Sequence, residues 1–219
     1  MDVRNVLKNL RPETFTQFEN QLRSTKGYQV IAGVDEAGRG PLAGPVIAAA
    51  CIIPEGIRFK GINDSKKLTP EERYRFYEAI QQNLSVFLGV GVVEAPLIDD
   101  INILQATFCA MRAAVSALPQ KPDYIVVDGP YIPQFDIPAE GIIKGDTLSQ
   151  SIMAAAIIAK CTRDRMMMEF HDQWPEYGFK DHKGYGTPQH LLALKIHGPC
   201  PIHRKSFTPV KALILRNDT

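Results

Sequence analysis

Residues 30–46 read VIAGVDEAGRGPLAGPV. The stretch opens as an apolar run, sets two carboxylates side by side at Asp35 and Glu36, then passes into glycine and proline. A buried strand must end at the acids, and the backbone beyond them must turn tightly. Adjacent carboxylates at the end of an apolar strand repel each other, which calls for something positive between them. Glycines 38 and 40 let main chain approach a sugar or a phosphate, with Arg39 held between them.

The rest of the chain repeats the theme of short strands and helices. VIAAACIIP (46–54), VFLGVGVV (86–93), DYIVVD (123–128) and EGIIKGD (140–146) read as further strands after YQVIAGVD (28–35). Phe15, Phe18 and Leu22 recur at helical spacing before Gly27, which predicts a short helix in an N-terminal extension of residues 1–27. TPEERYRFYEAIQQNL (69–84) opens with the Ser/Thr-x-x-Glu capping box. A helix is predicted from about Asn102 to Leu118, and a long one from Thr147 to about Trp174, whose alanine-rich middle SIMAAAIIAK must be buried. The loop HKGYGTP (182–188) and a helix through His197 follow. Interleaved strands and helices predict an α/β sandwich around a mixed sheet.

Acids fall where these strands end. Asp35 and Glu36 close the first, Asp128 closes the fourth, and Asp146 follows the fifth at the start of the long helix. Sites in open α/β sheets gather outside strand ends, so the four could converge. Clustered carboxylates oppose one another's ionisation unless a hard cation lies among them; magnesium suits oxygen ligands shared with phosphates. Blander readings stay open at this point. Asp146 could cap its helix, Asp128-Gly129-Pro130 could be turn chemistry, and Asp35-Glu36 could be an exposed strand end.

Other classes recede. Gly38 to Gly44 departs from a dinucleotide fingerprint because Ala43 stands where the third glycine belongs, and GINDSKKL (61–68) lacks the glycine before the lysine of a P-loop. No apolar run reaches the ~18 residues of a membrane span, and the N-terminus lacks a signal-peptide core, so a cytoplasmic protein without membrane contact is expected. Cys51, Cys109, Cys161 and Cys200 form no C-x-x-C pair and read as structural. His182, His190, His197 and His203 are too widely spaced for a zinc helix; a surface or phosphate-contacting role is expected. Residues 180–219 carry 7 Lys and Arg against 2 Asp and Glu, a basic end compatible with a polyanion.

The motif GVDEAGRGPLAGPV resembles the opening motif of bacterial ribonuclease HII. The resemblance runs on through NDSKKL (63–68), VDG (127–129), KGD (144–146), SIMAAAIIAKCTRD (151–164), YGFKDHKGYGT (177–187) and GPCPIHRKSF (198–207). It implies the ribonuclease H fold: a three-layer sandwich on a five-stranded mixed sheet of order 3-2-1-4-5, with residues 28–219 as the catalytic domain and a helical C-terminal part from about 180. It implies a divalent-metal-dependent endonuclease, using Mg2+ or Mn2+, that acts on RNA–DNA hybrids and on duplex DNA carrying single ribonucleotides. The family's metal carboxylates match Asp35, Glu36, Asp128 and Asp146. Its ribose-reading motif matches Gly38, Arg39 and Gly40, and its junction-sensing tyrosine matches Tyr185. Lys66 and Lys183 are expected to face phosphates, and a monomer is expected. Asp164 lies ~27 Å past Asp146 along a helix and is given a structural role. A non-catalytic nucleic-acid binder would not need the four acids, and a small-molecule phosphatase would not need the basic end. A ribonuclease HIII is expected to carry an extra N-terminal domain and a different first loop.

Overall fold

The computed structural model describes residues 15–59 and 68–217. In chain order the elements are α1 (Phe15–Lys26), β1 (Ile31–Ala37), β2 (Val46–Ile52), α2 (Pro70–Gln82), β3 (Phe87–Val93), α3 (Ala95–Ser116), β4 (Tyr124–Asp128), β5 (Ala139–Ile142), α4 (Gln150–Gln173), α5 (Phe179–His182), α6 (Pro188–His197) and α7 (Thr208–Asn217). The strands form one sheet of order β3-β2-β1-β4-β5. β1 pairs antiparallel to β2 and parallel to β4, which makes the sheet mixed.

Alternation along β1 and β2 sorts side chains to opposite faces. On one face Ala32, Val34, Ala48, Ala50, Ile125 and Val127 pack against Ala106, Ala110, Met111 and Ala114 of α3. On the other, Ile47, Ala49 and Cys51 meet Met153, Ala154, Ile157 and Ile158 of α4 and Tyr77 and Ile80 of α2. The predicted three-layer sandwich is the observed one. Each fully buried Val, Ile or Met side chain in these layers contributes roughly 1.5–3 kcal/mol, and each alanine methyl less.

The alanine-rich start of α4 lies directly on β1. A Cβ at Gly33 would stand 2.2 Å from the backbone nitrogen of Ile152, so glycine is what allows the helix to cross there. This contact sets the depth at which the end of β1, with Asp35, sits beneath the helix. Met153, a large residue within the alanine run, is fully buried among the packed side chains.

Local signals hold where the chain supplies caps. Thr69 Oγ1 accepts from Glu72 N at 3.2 Å, and Glu72 Oε2 accepts from Thr69 N at 2.9 Å, closing the predicted capping box. α3 begins at Ala95, earlier than predicted, because two helical pieces meet at Asn102. Asn102 takes φ 67° and its Oδ1 accepts from Leu104 N and Gln105 N, so the predicted start is the cap of the second piece. α1 buries Phe18 and Leu22 against Ile31, Tyr124, Val126, Ile142 and Ile152. Its Glu19 carboxylate accepts from Ser149 Oγ at 2.6 Å and Ser151 N at 2.9 Å, which ties α1 to the start of α4.

Candidate active site

The carboxylates gather at the end of β1 and its parallel neighbours. Asp35 is buried, and its Oδ1 accepts from Glu36 N at 2.7 Å. Burial, followed by the charges of Glu36 and Asp128 and, more weakly, Asp146, raises its carboxyl well above the usual range. Glu36 is raised by burial as well; the Arg39 guanidinium, 3.3 Å from its Oε1, opposes that shift, and Asp128 adds to it. Asp35 thus feels the charges of the other three acids, and Glu36 that of Asp128.

Asp128 also builds the next turn. Its Oδ1 accepts from Gly145 N at 2.7 Å and from Asp146 N at 3.4 Å. These bonds fold residues 145–147 into a 3-10 turn that carries the buried Asp146. The N-cap of α4 is Ser149, whose hydroxyl accepts from Ile152 N at 3.2 Å. The helix-cap reading of Asp146 is thus removed: the capping position belongs to a residue three places later.

A cavity of about 300 Å3 opens beside the first two acids. Asp35, Glu36, Ala37 and Gly38 line it on one side, with Arg73, Ala156, Lys160, Arg163 and Tyr185 completing the wall. Acid and base therefore meet across one hollow, which suits a phosphodiester bound through cations. A larger hollow of about 580 Å3 lies elsewhere, between the end of α3 and residues 134–137, but Asp136 is its only acid among the described residues.

Tyr185 is 47% exposed, and its ring edge lies 3.5 Å from where a Cβ on Gly40 would stand. The fold thus brings Gly40 next to Tyr185 of the cavity wall, 145 positions away in the chain. Lys183 points elsewhere: its ammonium donates to the carbonyl of Lys180 and does not line the cavity. Lys66 lies outside the described residues. Asp164 forms an ion pair with Lys160 at 2.7 Å and does not line the cavity.

The histidine expectation needs correction. His190 and His203 are buried, not at the surface. His190 Nδ1 lies 2.9 Å from the carbonyl of Tyr185, so it carries the proton and donates. His190 Nε2 must then accept, and His203 Nε2, at 3.0 Å, donates to it. His203 Nδ1 in turn accepts from Cys200 N at 2.9 Å. Burial, with smaller effects from neighbouring rings and carbonyls, pushes both down to about 4, so both are neutral at pH 7. Residues 180–219 were basic by count, but this pair is uncharged and serves as an internal strut beneath Tyr185.

Two arginines escaped sequence reading altogether. Arg163 and Arg204 are almost wholly buried, yet neither has an ion-pair partner among the described residues. Burial lowers them to about 10 and about 9, so both remain charged at neutral pH. Their partners are backbone carbonyls on loops, which no residue pattern advertises.

A five-stranded sheet of this order, with acids at the ends of β1 and β4 and just after β5, defines a nuclease of the ribonuclease H class. The family model for Ribonuclease HII matches residues 32–210. A Ribonuclease HII of Chlamydia trachomatis serovar L2 is 56% identical over 197 residues, covering 90% of each chain. The chain belongs to the ribonuclease HII family and shares its enzyme class, an endonuclease that hydrolyses RNA paired with DNA. Among solved structures, the ribonuclease H2 from Pyrococcus horikoshii OT3 superposes with a TM-score of 0.73 at 28% identity, over 87% of this chain and 99% of that one. Bst-RNase HIII in complex with Mn2+ superposes at 0.64 and 19% identity, over 86% of this chain and 70% of that one, a likeness of fold alone.

Proposed function

We propose that this protein cleaves the RNA strand of RNA–DNA hybrids and cuts on the 5′ side of single ribonucleotides in duplex DNA, using Mg2+ or Mn2+. The observation that carries the reading is the placement of Asp35 and Glu36, with Asp128 and Asp146 near enough for their charges to act on Asp35, in a cavity whose far wall is basic. The donor set fits a hard cation, since all four ligands are oxygens. Among the described residues no three aspartate, glutamate, cysteine or histidine side chains are gathered tightly enough to hold a metal ion as they stand, so a bound cation would have to draw the acids together. Magnesium needs only part of its shell from carboxylates, the rest coming from water and substrate phosphate. Manganese in the Bst-RNase HIII structure is in keeping with such a site.

Asp35, Glu36, Asp128 and Asp146 would hold the metal, which when bound neutralises phosphate charge and lowers the pKa of water. Hydrolysis forms a bond from a water oxygen to phosphorus and breaks the bond to the 3′ oxygen, leaving 3′-hydroxyl and 5′-phosphate ends. The Asp128 carboxylate holds the turn that carries Asp146. Arg73 and Lys160, on the basic wall, attract the strand. Gly38, Arg39 and Gly40 read the 2′-hydroxyl, which distinguishes RNA from DNA at one position. The Tyr185 ring packs on the next, deoxy sugar, where an added hydroxyl would crowd it. The protein acts as a monomer in the cytoplasm on this reading.

The test is a labelled duplex bearing one ribonucleotide, incubated with and without magnesium. A single cut 5′ of the ribonucleotide, seen only with metal, supports the proposal. An uncut duplex in magnesium, or full cleavage in chelator, overturns it.

A further inference from the structure

The loop after Glu36 is held from beneath by the two buried arginines. Arg204 donates from Nε to Gly44 O at 3.0 Å, from Nη1 to Arg39 O at 3.0 Å and Pro41 O at 2.8 Å, and from Nη2 to Gly38 O at 2.5 Å and Gly44 O at 2.9 Å. Arg163 donates from Nε to Pro45 O, from Nη2 to Ala43 O and from Nη1 to Lys183 O, each at 3.0 Å. Carbonyls of residues 38, 39, 41, 43, 44 and 45 therefore all turn inward onto two guanidinium groups.

Turning carbonyls inward has a consequence for the opposite side of each peptide. The backbone N–H groups of Arg39 and Gly40 meet no acceptor among the described residues. They are left as donors in the residues that directly follow Gly38 of the cavity wall, with Gly40 close to the Tyr185 ring. Successive backbone donors in a glycine turn make a concavity suited to oxygen ligands. The same arginines join this loop to the Tyr185 loop: Arg163 bridges Pro45 and Lys183, and Leu42 N donates to Gly184 O at 2.8 Å. Arg204 is itself fixed from outside, because Asp99 accepts from Lys205 N and Ser206 N, both at 2.8 Å.

Two unpaired buried cations are costly to keep. Lysine has three donors on one nitrogen and could not serve carbonyls spread over this arc; the planar arginine fork can. We propose that Arg204 and Arg163 are positioning residues for ribose recognition: their guanidinium donors are spent on backbone carbonyls, and in this way they preset the Gly38-Arg39-Gly40 backbone donors and lock them in register with Tyr185. The inference rests on the reading that this loop recognises the 2′-hydroxyl.

The experiment measures binding, free of chemistry. Dissociation constants are taken by fluorescence anisotropy, in chelator, for one duplex with a single ribonucleotide and for its all-DNA counterpart. The proteins are wild type, Arg204→Lys, Arg163→Lys and Gly40→Leu, each checked for folding by circular dichroism and thermal melting. The affinity ratio between the two duplexes is the readout, since a merely structural loss lowers both affinities together. Each net hydrogen bond to the hydroxyl that is lost should lower the ratio by roughly 2- to 12-fold. A folded Arg204→Lys protein with a collapsed ratio, alongside collapse in Gly40→Leu, supports the proposal. If Arg204→Lys does not fold, Arg163→Lys decides on the same readout. A ratio that survives in the arginine variants but collapses in Gly40→Leu overturns the positioning role and leaves the recognition reading standing. A ratio unchanged in all three, Gly40→Leu included, overturns both.

Discussion

The buried pair His190–His203 should make the protein lose stability steeply on mild acidification. In the folded protein both rings titrate near 4, against 6.5 for a free histidine. The unfolded chain therefore binds more protons between those values, and stability falls as pH falls through that window. For one such histidine the loss is ~2 kcal/mol between pH 8 and pH 5, and ~3 kcal/mol by pH 4. The geometry supplies the reason: protonating His190 at Nε2 would aim a second donor at the Nε2 proton of His203, 3.0 Å away. Asp35 and Glu36 act with the opposite sign. Their raised carboxyls take up protons more readily when folded, which offsets part of the loss as pH drops. Urea unfolding midpoints at pH 8, 6.5 and 5 separate the two effects if wild type is compared with a His190→Gln/His203→Gln double variant. The variant should start less stable but fall less between pH 6.5 and 5, by ~2 kcal/mol or more. Parallel curves for the two proteins would refute the neutral-strut argument.

Three further outcomes are expected. Asp35→Asn should abolish cleavage while the labelled duplex still binds, since the carboxylate repels phosphate; activity within a few-fold of wild type would contradict its assignment. Tyr185→Ala should reduce cleavage at a single ribonucleotide more than cleavage of a long hybrid, by roughly 5- to 150-fold for a stacking loss of ~1–3 kcal/mol; an unchanged ratio of the two rates would rule out junction sensing. Gly33→Ala would push a Cβ to 2.2 Å from the backbone of α4, where no side-chain shift can relieve it, so soluble yield or melting temperature should collapse; a melting temperature within a few degrees of wild type would show that the helix can slide.

The strands, the capping box at Thr69 and the buried face of α4 were legible in the sequence because each rests on local periodicity or on residues within one turn. The acids were legible as well, since Asp35, Glu36 and Asp128 end strands that any reading of β-branched runs would find. Asp146 was ambiguous because a helix start and a 3-10 turn use the same residue types; only the hydrogen bonds to Asp128 and the cap at Ser149 separated the two. What the tertiary structure alone decided lies in contacts across long stretches of chain. Arg204 reaches carbonyls 160 to 166 positions away, Arg163 reaches others 118 and 120 away, and Glu19 meets Ser149 across 130. A backbone carbonyl is the same group in every residue, so no pattern of side chains can announce which ones an arginine will hold. Burial likewise turned His190 and His203 from presumed surface groups into a neutral strut, because what a histidine does depends on the solvent it loses and on the partners that replace it.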